Sequence, residues 1–454
     1  MSDTTAAPPP AEPAADGAGE LGRILAEAAS RHAAGRLAEA EAAYRAALAA
    51  APRQGAIAVN LGVVVAAQGR HREAVAIFQD ITEREPRNAA AQFNRAVALE
   101  VLGETRAAID GFGRTCALEP DHYAAHRALG FLRLAAGERG RALDHFARTY
   151  ELRRGEDQTG LAAKSLTQAT RSKLLHDAEQ FDYLAERRRD AQRFAGLARV
   201  YRDVAQRVPD QAAELAPADL ARLGDDYNCP IHLRAAPECT DGAVNMPPDH
   251  DALLRAYRTK GAIALDRLLT EEALRRLQAF LLESTIWHDF SHIGGFVASY
   301  LEDGLACPLI LQIADEFRGA FPEVLGPHAL TQAWAFKGLR PSSAVDVHAD
   351  DAAVSVNFWV TPEEANLDPE RGGLVVCLRP PPQDWQVRDY EADQAAIVSF
   401  LEQSPGERLV APYGANRGVL FESRLFHWSD RPQFADGYHN HRINMTFIYG
   451  IHRP

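Results

Sequence analysis

The chain has 454 residues, enough for two or three domains of about 100–200 residues each and too many for a disulfide-stapled mini-protein. With 49 Lys and Arg against 62 Asp and Glu the formal net charge is −13, which argues against nucleic acid or an anionic membrane as a partner. The longest apolar stretch, residues 56–67, is interrupted by Asn60 and is shorter than the roughly 20 residues that span a bilayer.

Residues 1–19 are Ala, Pro, Gly and small polar residues with only acidic charges. They lack the basic head and apolar core of a signal peptide and read as a disordered leader. The five cysteines (Cys116, Cys229, Cys239, Cys307 and Cys377) are scattered and odd in number, which suits a reducing cytoplasm and gives no disulfide framework. A zinc site at Cys229 and Cys239 would want two more ligands nearby.

The next segment repeats with a period of 34. Pro52, Pro86 and Pro120 keep this spacing, as do Gly35, Gly69, Gly103 and Gly137, the aromatics Tyr44, Phe78, Phe112 and Phe146, and Ala40, Ala74, Ala108 and Ala142. Each unit reads as helix, Gly turn, then a second helix in which a small Ala permits close approach and an aromatic fills the hollow between units. Pro stops the second helix. The pattern resembles the tetratricopeptide repeat, whose Leu-Gly pair stands here as Leu61-Gly62 and Leu129-Gly130, with Arg95-Ala96 and Glu27-Ala28 as departures. About four repeats are expected over residues 20–155, an all-α solenoid whose concave face takes a protein or peptide partner. Asn60 and Asn94, one period apart, are placed to hydrogen-bond that ligand's backbone, although Asn there is also ordinary repeat consensus.

From 156 the helical pattern continues without the period, and Asp225 to His250 reads as a loop, so residues 156–250 are expected to form a connector. The last domain, 251–454, changes character. All five tryptophans lie there, and strands are expected at 262–266, 330–337, 344–350, 353–360, 373–378, 408–412, 417–422 and 441–449. Short strands separated by turn residues suggest a double-stranded β-helix, or jelly roll, with flanking helices; the fold class is multidomain α plus β.

Three features of this domain bear on chemistry. His348-Ala349-Asp350 ends an expected strand, where positions two apart share a side and an imidazole and a carboxylate can meet one metal. His427 ends an apolar run beginning at Arg417; His439 and His441 compete as a third ligand but sit in a polar hairpin where exposure is expected. On the last strand Arg442, Asn444 and Thr446 share one face and Ile443, Met445 and Phe447 the other, so a buried Arg would need a carboxylate or an anionic ligand. Two His and one carboxylate make the facial triad that holds non-haem Fe(II) with positions left open.

With these residues in this order, the region from about 255 to 454 resembles the Fe(II)/2-oxoglutarate-dependent oxygenases, in particular branches similar to prolyl hydroxylases and phytanoyl-CoA hydroxylases. The resemblance implies Fe(II), 2-oxoglutarate and dioxygen, with His348, Asp350 and His427 as metal ligands and catalytic centre. It also implies Arg442 as partner of the far carboxylate of 2-oxoglutarate. Asn444, Thr446, Asn357 and Gln332 are further candidates to contact the cosubstrate or substrate, and Trp334 is expected chiefly to pack. Residues 379–400 form a candidate lid or recognition loop. The function this implies is oxidative decarboxylation of 2-oxoglutarate to succinate and CO2 with hydroxylation of a protein or peptide recruited by the repeats. The alternatives are a small-molecule hydroxylase tethered by its repeats, and a non-catalytic scaffold with a ligand-binding jelly roll.

Overall fold

The computed structural model describes residues 19–155, 159–292, 295–382, 385, 394–403 and 406–451, and all but the last residue of the expected leader lies outside them. The chain divides into two compact units, residues 1–133 and 134–454.

The first unit is built of antiparallel helix pairs: α1 (Glu20–Ala33) with α2 (Leu37–Ala50), α3 (Gly55–Ala67) with α4 (His71–Arg84), and α5 (Ala89–Val101) with α6 (Thr105–Leu118). α7 (Tyr123–Ala135) begins the fourth pair. The glycine column does what the period requires. Gly35, Gly69 and Gly103 adopt φ of 71°, 80° and 78°, and the following N–H reaches back to close the helix end, Arg36 to Arg31, Arg70 to Val65 and Glu104 to Leu99. Tyr44, Phe78 and Phe112 are buried with Ala40, Ala74 and Ala108. The departure at Ala96 has a compensation: a Cβ at Gly62 would lie 2.5 Å from the Phe78 ring, whereas Ala96 is accommodated because Gly111, on the partner helix, leaves the room its own Cβ would take.

The second unit opens with α8 (Arg139–Arg154), which by period is the second helix of the fourth repeat. Its allegiance is electrostatic. Arg154 is buried and forms a two-pronged pair with Asp303 at 2.8 and 2.7 Å, and Tyr150 Oη lies 2.7 Å from His288 Nε2. The expected connector belongs to this unit as well. It holds α9 (Ala163–Thr167), α10 (Arg171–Ala185), α11 (Ala191–Ala205), α12 (Pro217–Leu223) and the two-residue strands β1 (Gln168–Ala169) and β2 (Ala213–Glu214). Gln180 donates to Ser284 O at 2.8 Å and Asn228 to His288 O at 3.0 Å.

Helices α13 (His250–Lys260), α14 (Glu271–Glu283) and α15 (Pro308–Ala320) flank a β-rich region. Its strands are β3 (Ala262–Leu265), β4 (Phe296–Tyr300), β5 (Leu330–Gly338), β6 (Val354–Trp359), β7 (Leu374–Cys377), β8 (Arg408–Ala411), β9 (Gly418–Glu422), β10 (His427–Ser429) and β11 (Ile443–Tyr449). Among the described residues they form a six-stranded sheet, β3-β9-β6-β11-β5-β4, and a three-stranded sheet, β10-β7-β8, antiparallel throughout. One face of the larger sheet lies under α15, where Phe317 meets Phe358 and Phe447 edge-on. The two sheets contribute to a common core in which Trp359, Val419 and Phe421 pack with Leu374, Val376 and Ala411.

Three expectations need correction. Residues 344–350 form no strand: they are irregular, with a single bridge at His348, because the residues around that bridge spend their main-chain groups on scattered bonds to residues 423–429 rather than on a continuous ladder. The apolar run from Arg417 does not end at His427 either. β9 stops at Glu422, the chain turns, and His427 opens β10 in the other sheet. The candidate lid is in part a helix, α16 (Gln394–Gln403), whose Ile397 and Phe400 pack with Ala349, Cys377 and Phe426; residues 383–384 and 386–393 lie outside the described residues.

Candidate functional site

Main-chain pairing brings the triad together. His348 N–H donates to His427 O at 3.1 Å and His427 N–H to His348 O at 2.9 Å, while Asp350 N–H donates to Ser423 O at 2.9 Å. The two imidazole rings lie 4.1 Å apart, centre to centre. His348 Nε2 is 3.8 Å from Asp350 Oδ1, His427 Nε2 is 3.7 Å from Asp350 Oδ2, and one ligand atom from each of the three residues lies within 4.8 Å of the others. Among the described residues no other His, Cys, Asp and Glu group has this compactness.

The ring nitrogens are sorted by their neighbours. His348 Nδ1 lies 2.8 Å from Asp346 O and His427 Nδ1 2.9 Å from Leu425 O; a carbonyl only accepts, so both Nδ1 atoms carry the proton. Both Nε2 lone pairs then face Asp350. Burial pushes the His427 imidazole down to about 4, with His348 adding to the effect and Asp350 opposing it. This keeps His427 neutral, the form that can donate a lone pair.

The triad opens on a cleft with about 410 Å³ of atom-free space. β5, β6 and β11 supply one wall in register: Asn357 pairs with Thr446, and Thr446 with Trp334. Asn357 Nδ2 donates to Thr446 Oγ1 at 2.9 Å, and its Oδ1 is buried with no hydrogen-bond partner among the described residues. Arg442, just before β11, is buried on the same cleft. Its Nε donates to Gly372 O at 3.0 Å and its Nη1 to Asn444 Oδ1 at 3.3 Å. Gly372, at φ 85°, supplies the left-handed turn that presents this carbonyl. Among the described residues no carboxylate lies within ion-pair distance of Arg442, and burial pushes its guanidinium down to about 10.

Of the expected cosubstrate contacts, Arg442, Asn444, Thr446 and Asn357 line the cleft and Gln332 does not. Its amide is turned to Glu302, 3.1 and 3.0 Å from the two carboxylate oxygens, because the cleft face of β5 ends at Trp334. Trp334 does more than pack, since it lines the cleft beside Phe336. His441 is largely enclosed, contrary to expectation, its side chain 11% exposed and its ring near His176 of the connector and its own neighbour Tyr438, while His439 is exposed. Asp351 is exposed and is not part of the ligand cluster. Asn94 donates to Ala90 O of its own helix at 2.8 Å, and Asn60 is half-buried on α3. Ser355 is a further residue of the site: its Oγ donates to Asp350 Oδ2 at 2.7 Å. The signal was available in its strand parity with Asn357, two residues on.

The tetratricopeptide repeat model matches residues 31–99. No curated protein shows significant similarity to the chain. Among solved structures, a mutant of MamA is 28% identical over 32% of this chain and 80% of its own, with a TM-score of 0.27. A tetratricopeptide repeat protein from Parabacteroides merdae is 24% identical over 29% of this chain and 53% of its own, with a TM-score of 0.28. MamA from Desulfovibrio magneticus RS-1 is 18% identical over 31% and 78%, with a TM-score of 0.29. No helix among the described residues is long and apolar enough to cross a membrane. The N-terminal part of the chain is a tetratricopeptide repeat region, joined to a C-terminal region rich in β-sheet.

Proposed function

We propose that the β-rich region is a jelly-roll oxygenase dependent on Fe(II) and 2-oxoglutarate, a hydroxylase of a protein or peptide held by the repeats. The observation that carries this reading is the combination, in one cleft, of His348, Asp350 and His427 with a buried guanidinium that has no carboxylate partner among the described residues.

The donor set fits the metal. Two neutral imidazole nitrogens and one carboxylate oxygen are the ligands that non-haem Fe(II) takes while keeping positions open. Iron, when bound, supplies activation of dioxygen coupled to conversion of 2-oxoglutarate into succinate and CO2. The chain's own residues do the rest. His348 and His427 hold their Nε2 lone pairs toward one point, and Asp350 brings the charge that attracts a divalent cation. Arg442 offers a fork to a carboxylate, fixed in direction by Gly372 O and Asn444. The orphan Oδ1 of Asn357 and the hydroxyl of Thr446 are polar groups able to orient a ligand in the same cleft. Trp334, Phe336 and Leu374 exclude water from its wall.

The repeats favour a macromolecular substrate, because a concave helical stack suits an extended chain better than a metabolite. The repeat match alone also fits a scaffold without turnover. Succinate release from 2-oxoglutarate with Fe(II) and ascorbate separates the two. Wild type is expected to turn over and His348→Ala to fall to background; equal silence of both, with no metal bound by either, would overturn the proposal.

A further inference from the structure

Asp350 is ambiguous as a ligand. Its two oxygens each face one imidazole, Oδ1 toward His348 and Oδ2 toward His427, at nearly equal distances of 3.8 and 3.7 Å. Nothing in the triad itself decides whether the carboxylate would meet a metal through one oxygen or both. That difference matters, because each position the carboxylate takes is withdrawn from the ligands that must react.

The decision lies in two serines. Ser355, on β6, and Ser423, just after β9, are both fully buried. Ser355 Oγ donates to Asp350 Oδ2 at 2.7 Å, and Ser423 Oγ lies 2.9 Å from Ser355 Oγ. The circuit closes through the main chain, because Ser423 O accepts from Asp350 N–H at 2.9 Å and Ser423 N–H donates to Ala353 O at 3.1 Å. Proton order in this circuit is fixed. An ionised carboxylate only accepts, so the Ser355 proton points to Oδ2 and the Ser423 proton points to Ser355. Such a chain in a dry site is strengthened by mutual polarisation. It occupies Oδ2 and leaves Oδ1 without a hydrogen bond among the described residues.

We infer that Ser355 and Ser423 are positioning residues that make Asp350 a one-oxygen metal ligand, bound through Oδ1, and so keep coordination positions open for the reacting ligands. The inference rests on the metal reading above and deepens it. It assigns no contact between either serine and the metal. Their effect passes through the carboxylate, as that of hydrogen-bond partners behind a metal ligand does.

Co(II) titrated into the full-length metal-free protein, followed by calorimetry and by the visible absorption of the bound ion, tests this without turnover. Ser355→Ala is expected to weaken Co(II) binding by about 10- to 100-fold and to shift the absorption bands as the second oxygen becomes free to bind. Ser423→Ala should shift them in the same direction by less, and Ser355→Thr, which keeps the hydroxyl, should restore the wild-type spectrum. Circular dichroism checks that each variant is folded; if Ser355→Ala is not, Ser423→Ala decides by the same spectral criterion. If wild type binds Co(II), Asp350→Ala does not, and the folded serine variants match wild type in affinity and spectrum, the inference is wrong while the metal reading stands. If wild type binds no Co(II), or Asp350→Ala binds as well as wild type, the metal reading fails and takes the inference with it.

Discussion

His348 and His427 exchange both main-chain hydrogen bonds, so the pairing that joins two distant stretches of chain also brings their imidazoles together, 4.1 Å apart and inclined at 53°. A divalent cation binding there stabilises the folded state through mass action. At a hundredfold excess over its dissociation constant the gain is about 2.7 kcal/mol. Mn(II) is therefore expected to raise the unfolding midpoint of wild type and to leave that of His348→Ala or His427→Ala in place. Calorimetric scans with and without Mn(II) check this, and equal shifts in all three proteins would count against the site.

Arg442 makes a second ligand effect separable from the first. In the absence of an anion, Arg442→Met exchanges a costly buried guanidinium for an apolar chain and gives up its two hydrogen bonds, so the net change in stability is expected to stay within about 2 kcal/mol. In the presence of Mn(II) and 2-oxoglutarate, wild type should gain a further rise in midpoint that Arg442→Met lacks. Retention of that rise in the variant would show that the anion goes elsewhere.

The Arg154–Asp303 pair predicts an acid limb. Burial pushes the Asp303 carboxyl up, but Arg154 beside it outweighs that and holds it down at about 2. A carboxyl lowered on folding contributes stability that is complete above its unfolded value, near 4, and is lost as pH falls toward 2; here that amounts to about 2 kcal/mol. Asp303→Asn leaves a buried guanidinium unpaired and is expected to cost about 3–5 kcal/mol at neutral pH. The deficit should narrow as pH falls from 5 to 2. Urea unfolding followed by tryptophan fluorescence reads this unit selectively, since all five tryptophans lie in it; a deficit that stays constant would refute the assignment.

Lys337 predicts the opposite dependence. It is fully buried on β5, its ammonium 3.1 Å from the centre of the Tyr438 ring with no hydrogen-bond partner among the described residues, and burial holds its pKa well below the usual lysine range. The unfolded chain therefore binds a proton that the folded one resists, so this residue's cost vanishes above about pH 10.5 and grows as pH falls. Lys337→Met is expected to stabilise the unit by about 1–4 kcal/mol at pH 7 and by less at pH 9.5. The same fluorescence measurement at the two pH values decides it.

The repeats were legible because their physics is local and recurs: the same turn needs Gly, and the same hollow needs an aromatic, every 34 residues. The triad was legible because few residue types bind a divalent cation. What escaped was non-local. His348-Ala349-Asp350 looked like a strand end, yet only His348 is bridged, and its partner, His427, opens a strand of three residues, too short to show a period. β4 was missed because Phe296–Tyr300 is short and mixes Ala and Ser with larger residues. The enclosure of His441 depends on α10 of the connector, whose packing partner has no trace in its own sequence.

The last helix of the array answers to two accounts. By period α8 completes the fourth repeat, but Arg154 and Tyr150 bind it to Asp303 and His288. A gene cut at residue 155 would therefore strand one charge on each fragment, whereas a cut between α7 and α8 keeps the couple intact. Any natural exchange of one repeat array for another has the same seam to respect: whatever number of helical hairpins the donor brings, the recipient must keep its own final helix.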